Sequence, residues 1–296
     1  DERALALVRE SGYAVVQARG DETHPHLAAL RPDLIINDML DTSAEYVRRQ
    51  RELGAFIVNF EDLGSGADEA HLVFNALYEN SYPRETHRFG HPYFCLPEHF
   101  AYVSPAEFRD PPRAALITFG GVDQNNLTCR VLEVLPQVLK RVPLEAVRVV
   151  VGPGYGHDAD LAQALASLPR AVAEKVDVQR SVQNMAKVMR LADVAVTSNG
   201  RTVYELAAMG VPTISISQND RETLHLFSRY NKGVRYLGMA SPRTPELVQA
   251  ALVEILTQPH LRRAMREALL QTDLRGGLNR VVGEIQSAYW RWKNAQ

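Results

Sequence analysis

The sequence is short of several things at once, and each shortage closes off a class of protein. Only two cysteines occur in 296 residues, Cys95 and Cys129, with no CxxC pair beside them. A disulfide framework or a structural zinc site needs more than that, so a chain working in a reducing cytoplasm is expected. Positive charge is not in excess: 33 Lys plus Arg stand against 35 Asp plus Glu, a net charge of -2. Nucleic acid selects basic patches, so it is not expected as a partner. No apolar run reaches the roughly 18 to 20 residues of a membrane span, and the opening DERALALVRESG reads as an amphipathic helix rather than a secretory leader. No DxD pair follows a strand, no histidine pair has metal-ligand spacing, and neither a metal nor another cofactor is expected. What is there is ordinary globular material, 46% apolar and 23% charged. At that length, two domains of roughly 150 residues are the natural division.

Helix and strand signals alternate along the chain, the pattern that yields parallel sheets covered by helices. In the first half the pattern predicts helix over 1–11, strand over 14–17, helix over 24–30 and strand over 34–36. Helix over 43–53 and strands over 56–60 and 72–75 follow. The proline-marked stretch Ala101 to Arg113 breaks the periodicity and reads as the linker. Beyond it the pattern predicts strands over 114–119, 147–151, 176–178, 194–197 and 212–216, with helices over 125–140, 158–166, 183–191, 202–209 and 221–230 between and after them. Three helical segments end the chain, and Tyr289, Trp290 and Trp292 on the last of them read as packing aromatics. The division expected is an N-terminal lobe over 1–108, a C-terminal lobe over 109–275 and a closing helix over 276–296.

In open parallel sheets ligands bind beyond the carboxyl ends of the strands, where helix N-termini and free backbone N–H groups converge. Three such exits are rich in polar and small residues. Gly120-Gly121-Val122-Asp123 leaves one strand, and its paired glycines would let an anion approach the backbone. The same pair also suits a plain tight turn. Ser198-Asn199-Gly200-Arg201-Thr202 leaves another, offering N-cap side chains and a guanidinium suited to phosphate. Glu205 lies a turn further on, where its carboxylate could accept bonds from ribose hydroxyls or simply serve as a favourable first-turn acid. Ser217 to Glu222 leaves a third exit, with His225 one helical turn beyond Arg221 and Glu222. Three polar exits in consecutive crossings argue for one shared hollow.

The run from Ala192 to Pro212, ADVAVTSNGRTVYELAAMGVP, resembles the nucleotide-sugar site of the GT-B superfamily. Thr118-Phe119-Gly120-Gly121-Val122-Asp123 with Thr128, Asn59 to Gly64, and Tyr93-Phe94-Cys95-Leu96 before Glu98 and Phe100 narrow that resemblance to the SpsG-like branch. That branch includes the UDP-sugar hydrolase of pseudaminic acid biosynthesis. The resemblance implies two Rossmann-like lobes, with the C-terminal lobe holding a UDP-sugar. Gly120, Gly121 and Asp123 would lie at the diphosphate, Ser198, Asn199, Gly200, Arg201 and Thr202 would cap it, Glu205 would hold the ribose, and the loop containing Val182 and Met185 would cradle the base. Asn75, Tyr78, Asn219 and Glu222 would face the sugar, and Asp38, Asp62 and His225 are the candidates for catalysis.

The implied activity is hydrolysis of the nucleotide-sugar by water attack at the anomeric carbon, in the biosynthesis of a nonulosonic acid or surface polysaccharide. The alternatives are a GT-B glycosyltransferase using the same donor, and a non-catalytic nucleotide-sugar-binding domain of a larger enzyme, fused to or associated with another enzyme of a sugar pathway. These families open with a strand and a Gly-x-Gly-His loop, and nothing here matches it. The expectation is that the N-terminal lobe lacks its first βαβ unit.

Overall fold

The structure, a computed structural model, describes residues 5, 8–18, 22–79 and 84–296. The chain divides into two compact units, one of residues 1–74, 84–88 and 284–296, the other of residues 75–83 and 89–283. The Ala101 to Arg113 stretch lies inside the second unit.

The first unit is built on a four-stranded sheet in the order β1-β2-β3-β4, with β1 Leu34–Asp38, β2 Phe56–Phe60, β3 Leu72–Asn75 and β4 His87–Phe89. β1 pairs in parallel with β2, and β2 with β3. Ile35, Ile57 and Val73 pack with Val47, Ala55, Ala67 and Ala70 as the apolar core. Ser43 starts the helix Ala44–Arg51 by accepting from the Tyr46 N–H, the role its hydroxyl suits. Beside that core runs a buried amide chain. Asn37 Nδ2 donates to Gln50 Oε1 at 2.8 Å and to Asn59 Oδ1 at 2.9 Å. The strand expected over 14–17 does not form, and residues 13–18 are irregular. Β-propensity in Ala14-Val15-Val16 needs a ladder partner, and β1 forms the sheet's edge without one on that side among the described residues. Of the expected opening helix, residues 5 and 8–10 are helical and the remainder to residue 7 lies outside the described residues.

The second unit carries a six-stranded sheet in the order β10-β9-β8-β5-β6-β7, and every neighbouring pair is parallel. Its strands are β5 Ala114–Thr118, β6 Ala146–Val151, β7 Val176–Arg180, β8 Val194–Ser198, β9 Thr213–Ser217 and β10 Val234–Met239. Strands β5, β8 and β9 are buried at every position, which explains their continuous apolar and small-residue runs. β10 lies at an edge and is only partly buried, so its Arg235-Tyr236 face lacks the apolar run that marks the central strands. From β5 the chain proceeds to β6 and β7 on one side and then returns to β8 on the other. The order therefore switches between β5 and β8, and a crevice forms at their carboxyl ends.

The helix expected over 221–230 is two short ones, Asp220–Thr223 and Phe227–Tyr230. Asn199 Nδ2 takes the carbonyls of Glu222 at 2.6 Å and His225 at 3.0 Å, acceptors that a continuous helix would use internally. Three helices follow β10, Thr244–Thr257, Pro259–Leu270 and Gly277–Asn294, as the tail pattern predicts. The last begins in the second unit and ends in the first, where Trp292 lies 5.6 Å from the Phe56 ring. Among the described residues no helix is long and apolar enough to cross a membrane.

Candidate functional site

A cavity of about 210 Å³ opens at the switch point of the six-stranded sheet. Four strand exits line it: Thr118, Gly120 and Gly121 after β5, Val150 to Pro153 at the end of β6, Ser181, Val182 and Met185 after β7, and Thr202 and Glu205 after β8. The backbone is shaped for close approach. Gly120 has φ +74°, a left-handed conformation that costs glycine nothing. A Cβ at Gly152 would stand 2.4 Å from the Gly120 carbonyl oxygen, so only glycine lets the β6 exit pass under the β5 exit. A Cβ at Gly121 would meet nothing within 4 Å, and the backbone there faces open space.

The polar side chains at the rim have few internal obligations. Among the described residues Ser198 Oγ, Thr202 Oγ1 and the Glu205 carboxylate accept or donate no hydrogen bond within the protein. Ser198 Oγ would lie 3.9 Å from a Cβ on Gly120 and 3.7 Å from one on Gly200, so it stands between the two glycines. Burial pushes the Glu205 carboxyl above its ordinary pKa, and the Arg201 guanidinium pulls it back in part. Such a carboxylate, held beside a cavity without a donor, suits a ligand that brings hydroxyl donors. Arg201 itself is exposed, its guanidinium 4.8 Å from the centre of the Phe94 ring.

The third exit is tied to the other two. Gln218 Nε2 donates to the Phe119 carbonyl at 3.4 Å, and the Gln218 carbonyl accepts from Asn125 Nδ2 at 2.7 Å. The Gln218 N–H donates to Glu222 at 2.7 Å, and Asn219 Oδ1 accepts from the Glu222 N–H at 3.0 Å. A Cβ on Gly200 would lie 3.8 Å from Glu222 Oε1. Burial raises the Glu222 pKa, while the backbone N–H groups that bond it act the other way. Tyr78 also belongs to the second unit: its hydroxyl accepts from Arg221 Nε at 2.8 Å and its ring lies 5.2 Å from the His225 ring. Asn75, buried at the end of β3, accepts the Tyr78 N–H on its carbonyl.

Other residues singled out by the sequence do different work. The Asp123 carboxylate is 3% exposed and accepts from the Leu127 and Thr128 N–H groups at 2.8 and 2.9 Å, capping the helix Leu127–Arg141. It therefore holds a helix end rather than presenting a charge to the cavity. Asn199 is consumed as a strut, its Oδ1 accepting from Ser215 and Ser228 at 3.1 and 2.5 Å. In the first unit, Asp62 is fully buried and accepts at least four bonds, among them those from the N–H and hydroxyl of Thr42, Asn59 Nδ2 and the Gly64 N–H. That carboxylate closes a loop and leaves no lone pair positioned for a substrate proton. Asp38 is exposed at the end of β1. His225 is buried, with Nδ1 2.7 Å from the Asn199 carbonyl, and burial holds its pKa below the ordinary histidine value. Gly152 and Gln218 shape the site and are not among the expected residues. The signal for the first is the Val151-Gly152-Pro153-Gly154 run at a strand end. Among the described residues no group of acids, histidines or cysteines is arranged to hold a metal ion.

Two parallel-sheet Rossmann-like domains of this kind match solved GT-B glycosyltransferase structures. Acinetobacter baumannii MurG superposes with a TM-score of 0.68 at 19% identity, over 96% of this chain and 88% of MurG. Residues 113–258 match the sequence model of the family described as glycosyl transferases group 1. At the level of sequence the chain is 25% identical over 235 residues to the uncharacterized protein MJ1062 of Methanocaldococcus jannaschii, covering 74% of this chain and 48% of that protein. It therefore spans about half the length of MJ1062. It is 24% identical over 269 residues to the spore coat polysaccharide biosynthesis protein SpsG of Bacillus subtilis, covering 87% of this chain and 77% of SpsG.

Proposed function

We propose that the second unit binds a nucleoside-diphosphate sugar, with UDP as the nucleotide, and that the protein transfers the glycosyl group to an acceptor hydroxyl in polysaccharide biosynthesis. The observation that carries this is Glu205, a carboxylate with no hydrogen-bond partner among the described residues, on the wall of a cavity floored by the Gly120-Gly121 backbone. In this reading the diphosphate lies against Gly121, Ser198, Gly200 and Thr202, and Glu205 accepts from the ribose diol. The loop from Ser181 to Met185 covers the base, and Asn219, Glu222, Asn75 and Tyr78 meet the sugar.

Transfer breaks the bond between the anomeric carbon and the diphosphate oxygen, and the nucleoside diphosphate leaves with the electron pair. Backbone N–H groups and hydroxyls fixed at that oxygen stabilise the developing charge without reorganising. The acceptor oxygen forms the new bond and gives up its proton to solvent. Water in place of the acceptor would give hydrolysis, the activity first expected from the sequence. The family match over 113–258 favours transfer over that expectation.

Incubation with a panel of UDP-, CMP- and GDP-sugars, with and without sugar, peptide and lipid-linked acceptors, tests the reading. Nucleotide release that requires an acceptor is the expected result. Release in water alone would select hydrolysis, and absence of UDP binding by calorimetry would overturn the site.

A further inference from the structure

We infer that His225 is a positioning residue, which turns the Asn199–Gly200 peptide so that the Gly200 N–H faces the diphosphate. This rests on the nucleotide reading above and assigns His225 a role other than catalytic base. A carbonyl oxygen only accepts, so the 2.7 Å contact from Nδ1 to the Asn199 oxygen requires the proton on Nδ1. The other ring nitrogen, Nε2, is buried and has no partner among the described residues. An imidazole whose far nitrogen is buried unsatisfied is a poor choice for packing alone. What it supplies is a rigid N–H, braced by the Tyr78 ring 5.2 Å away.

The consequence follows from peptide geometry. The Asn199–Gly200 bond is trans, so its C=O and N–H point in opposite directions. With the carbonyl drawn toward His225, the Gly200 N–H turns to the other side. Among the described residues it meets no backbone acceptor there. A Cβ on Gly200 would find Ser198 Oγ and Glu222 Oε1 within 4 Å, at 3.7 and 3.8 Å. The Asn199 side chain locks the same peptide from the flank through four further bonds, to Glu222, His225, Ser215 and Ser228. The peptide leads into the helix Arg201–Ala208, with Gly200 in an extended conformation at its start.

The test pairs two amides of opposite reach. In His225→Asn the amide nitrogen can occupy the place of Nδ1; in His225→Gln it reaches toward Nε2 instead. Affinities for UDP and for uridine are measured on both variants, on His225→Phe and on the unaltered protein. The expected result is UDP affinity within about threefold for His225→Asn and at least about tenfold weaker for His225→Gln and His225→Phe, with uridine affinity changed less than about twofold in all. A loss common to UDP and uridine, or equal UDP affinity in the Asn and Gln variants, overturns the inference. If His225→Phe has no cooperative melting transition, the Asn and Gln pair decides. Failure of the unaltered protein to bind UDP would instead overturn the nucleotide reading.

Discussion

Glu205→Ala separates binding from folding by giving them opposite signs. If Glu205 accepts from the two ribose hydroxyls, each bond to a charged acceptor is worth about 1.5–3 kcal/mol in favourable settings. Glu205 is only partly buried at the cavity wall, so binding exchanges solvent for ribose and the net is smaller. A loss of about 1.4–3 kcal/mol is expected, which is roughly tenfold to somewhat over a hundredfold in UDP affinity by calorimetry.

The effect on stability runs the other way. Burial raises the Glu205 pKa above 4.5 in the folded chain, so the folded state holds the proton more tightly than the unfolded one. A raised acid contributes most below the ordinary carboxylate range, and that contribution is lost as pH rises through the folded value. At neutral pH the alanine variant should therefore melt at or above the temperature of the unaltered protein, and its advantage should shrink at pH 4. Unchanged UDP affinity would refute the ribose assignment. A variant that melts several degrees lower at neutral pH would refute the account of an unpartnered carboxylate.

Gly121→Ala should fold with little change in melting temperature, because its Cβ meets nothing within 4 Å, yet lose UDP affinity as the methyl group enters the cavity. Gly152→Ala should instead destabilise the second unit, since its Cβ would come 2.4 Å from the Gly120 oxygen. Asp62→Ala strips the acceptor from four buried or partly buried donors and should lower stability by about 2–5 kcal/mol in urea melts; a loss of activity at unchanged stability would return Asp62 to the catalytic list. His71 has its pKa lowered to about 4, by burial first and then by Arg51, and its Nδ1 accepts the Ile57 N–H at 2.9 Å. Between pH 6.5 and 4 the unfolded chain binds the proton that the folded chain refuses. Stability should fall with pH across that window by about 1–2 kcal/mol after discounting for part exposure, and His71→Phe should flatten the decline in pH-dependent melts.

The second unit was the more legible half because its strands advertise themselves. β5, β8 and β9 are buried along their whole length, and burial on both faces writes an unbroken apolar or small-residue run into the sequence. Where a strand is only half covered, as β10 is, the run dissolves, and Val234–Met239 was not foreseen. The opposite error arose at Ala14-Val15-Val16-Gln17, where local propensity looked like a strand but no neighbouring edge completed it. The break in the expected helix over 221–230 was illegible because its cause is Asn199, more than 20 positions away in the chain. Local periodicity carries no record of which distant side chain will take a helix's carbonyls.

The same limit explains how the candidate acids sort themselves. Sequence shows that a carboxylate stands after a strand, and Asp62, Asp123, Glu205 and Glu222 all satisfy that description. What separates them is how many donors the fold has already given each. Asp62 has at least four, Asp123 has two helix-capping amides, Glu222 has the Gln218 N–H, and Glu205 has none among the described residues. A carboxylate saturated by its own backbone is stabilised in place and gains little from a ligand, whereas one left open beside a cavity gains the most. Donor saturation thus ranks Glu205 first and Asp62 last among these acids as ligand contacts. Substituting each by alanine should reproduce that order in UDP affinity and reverse it in melting temperature.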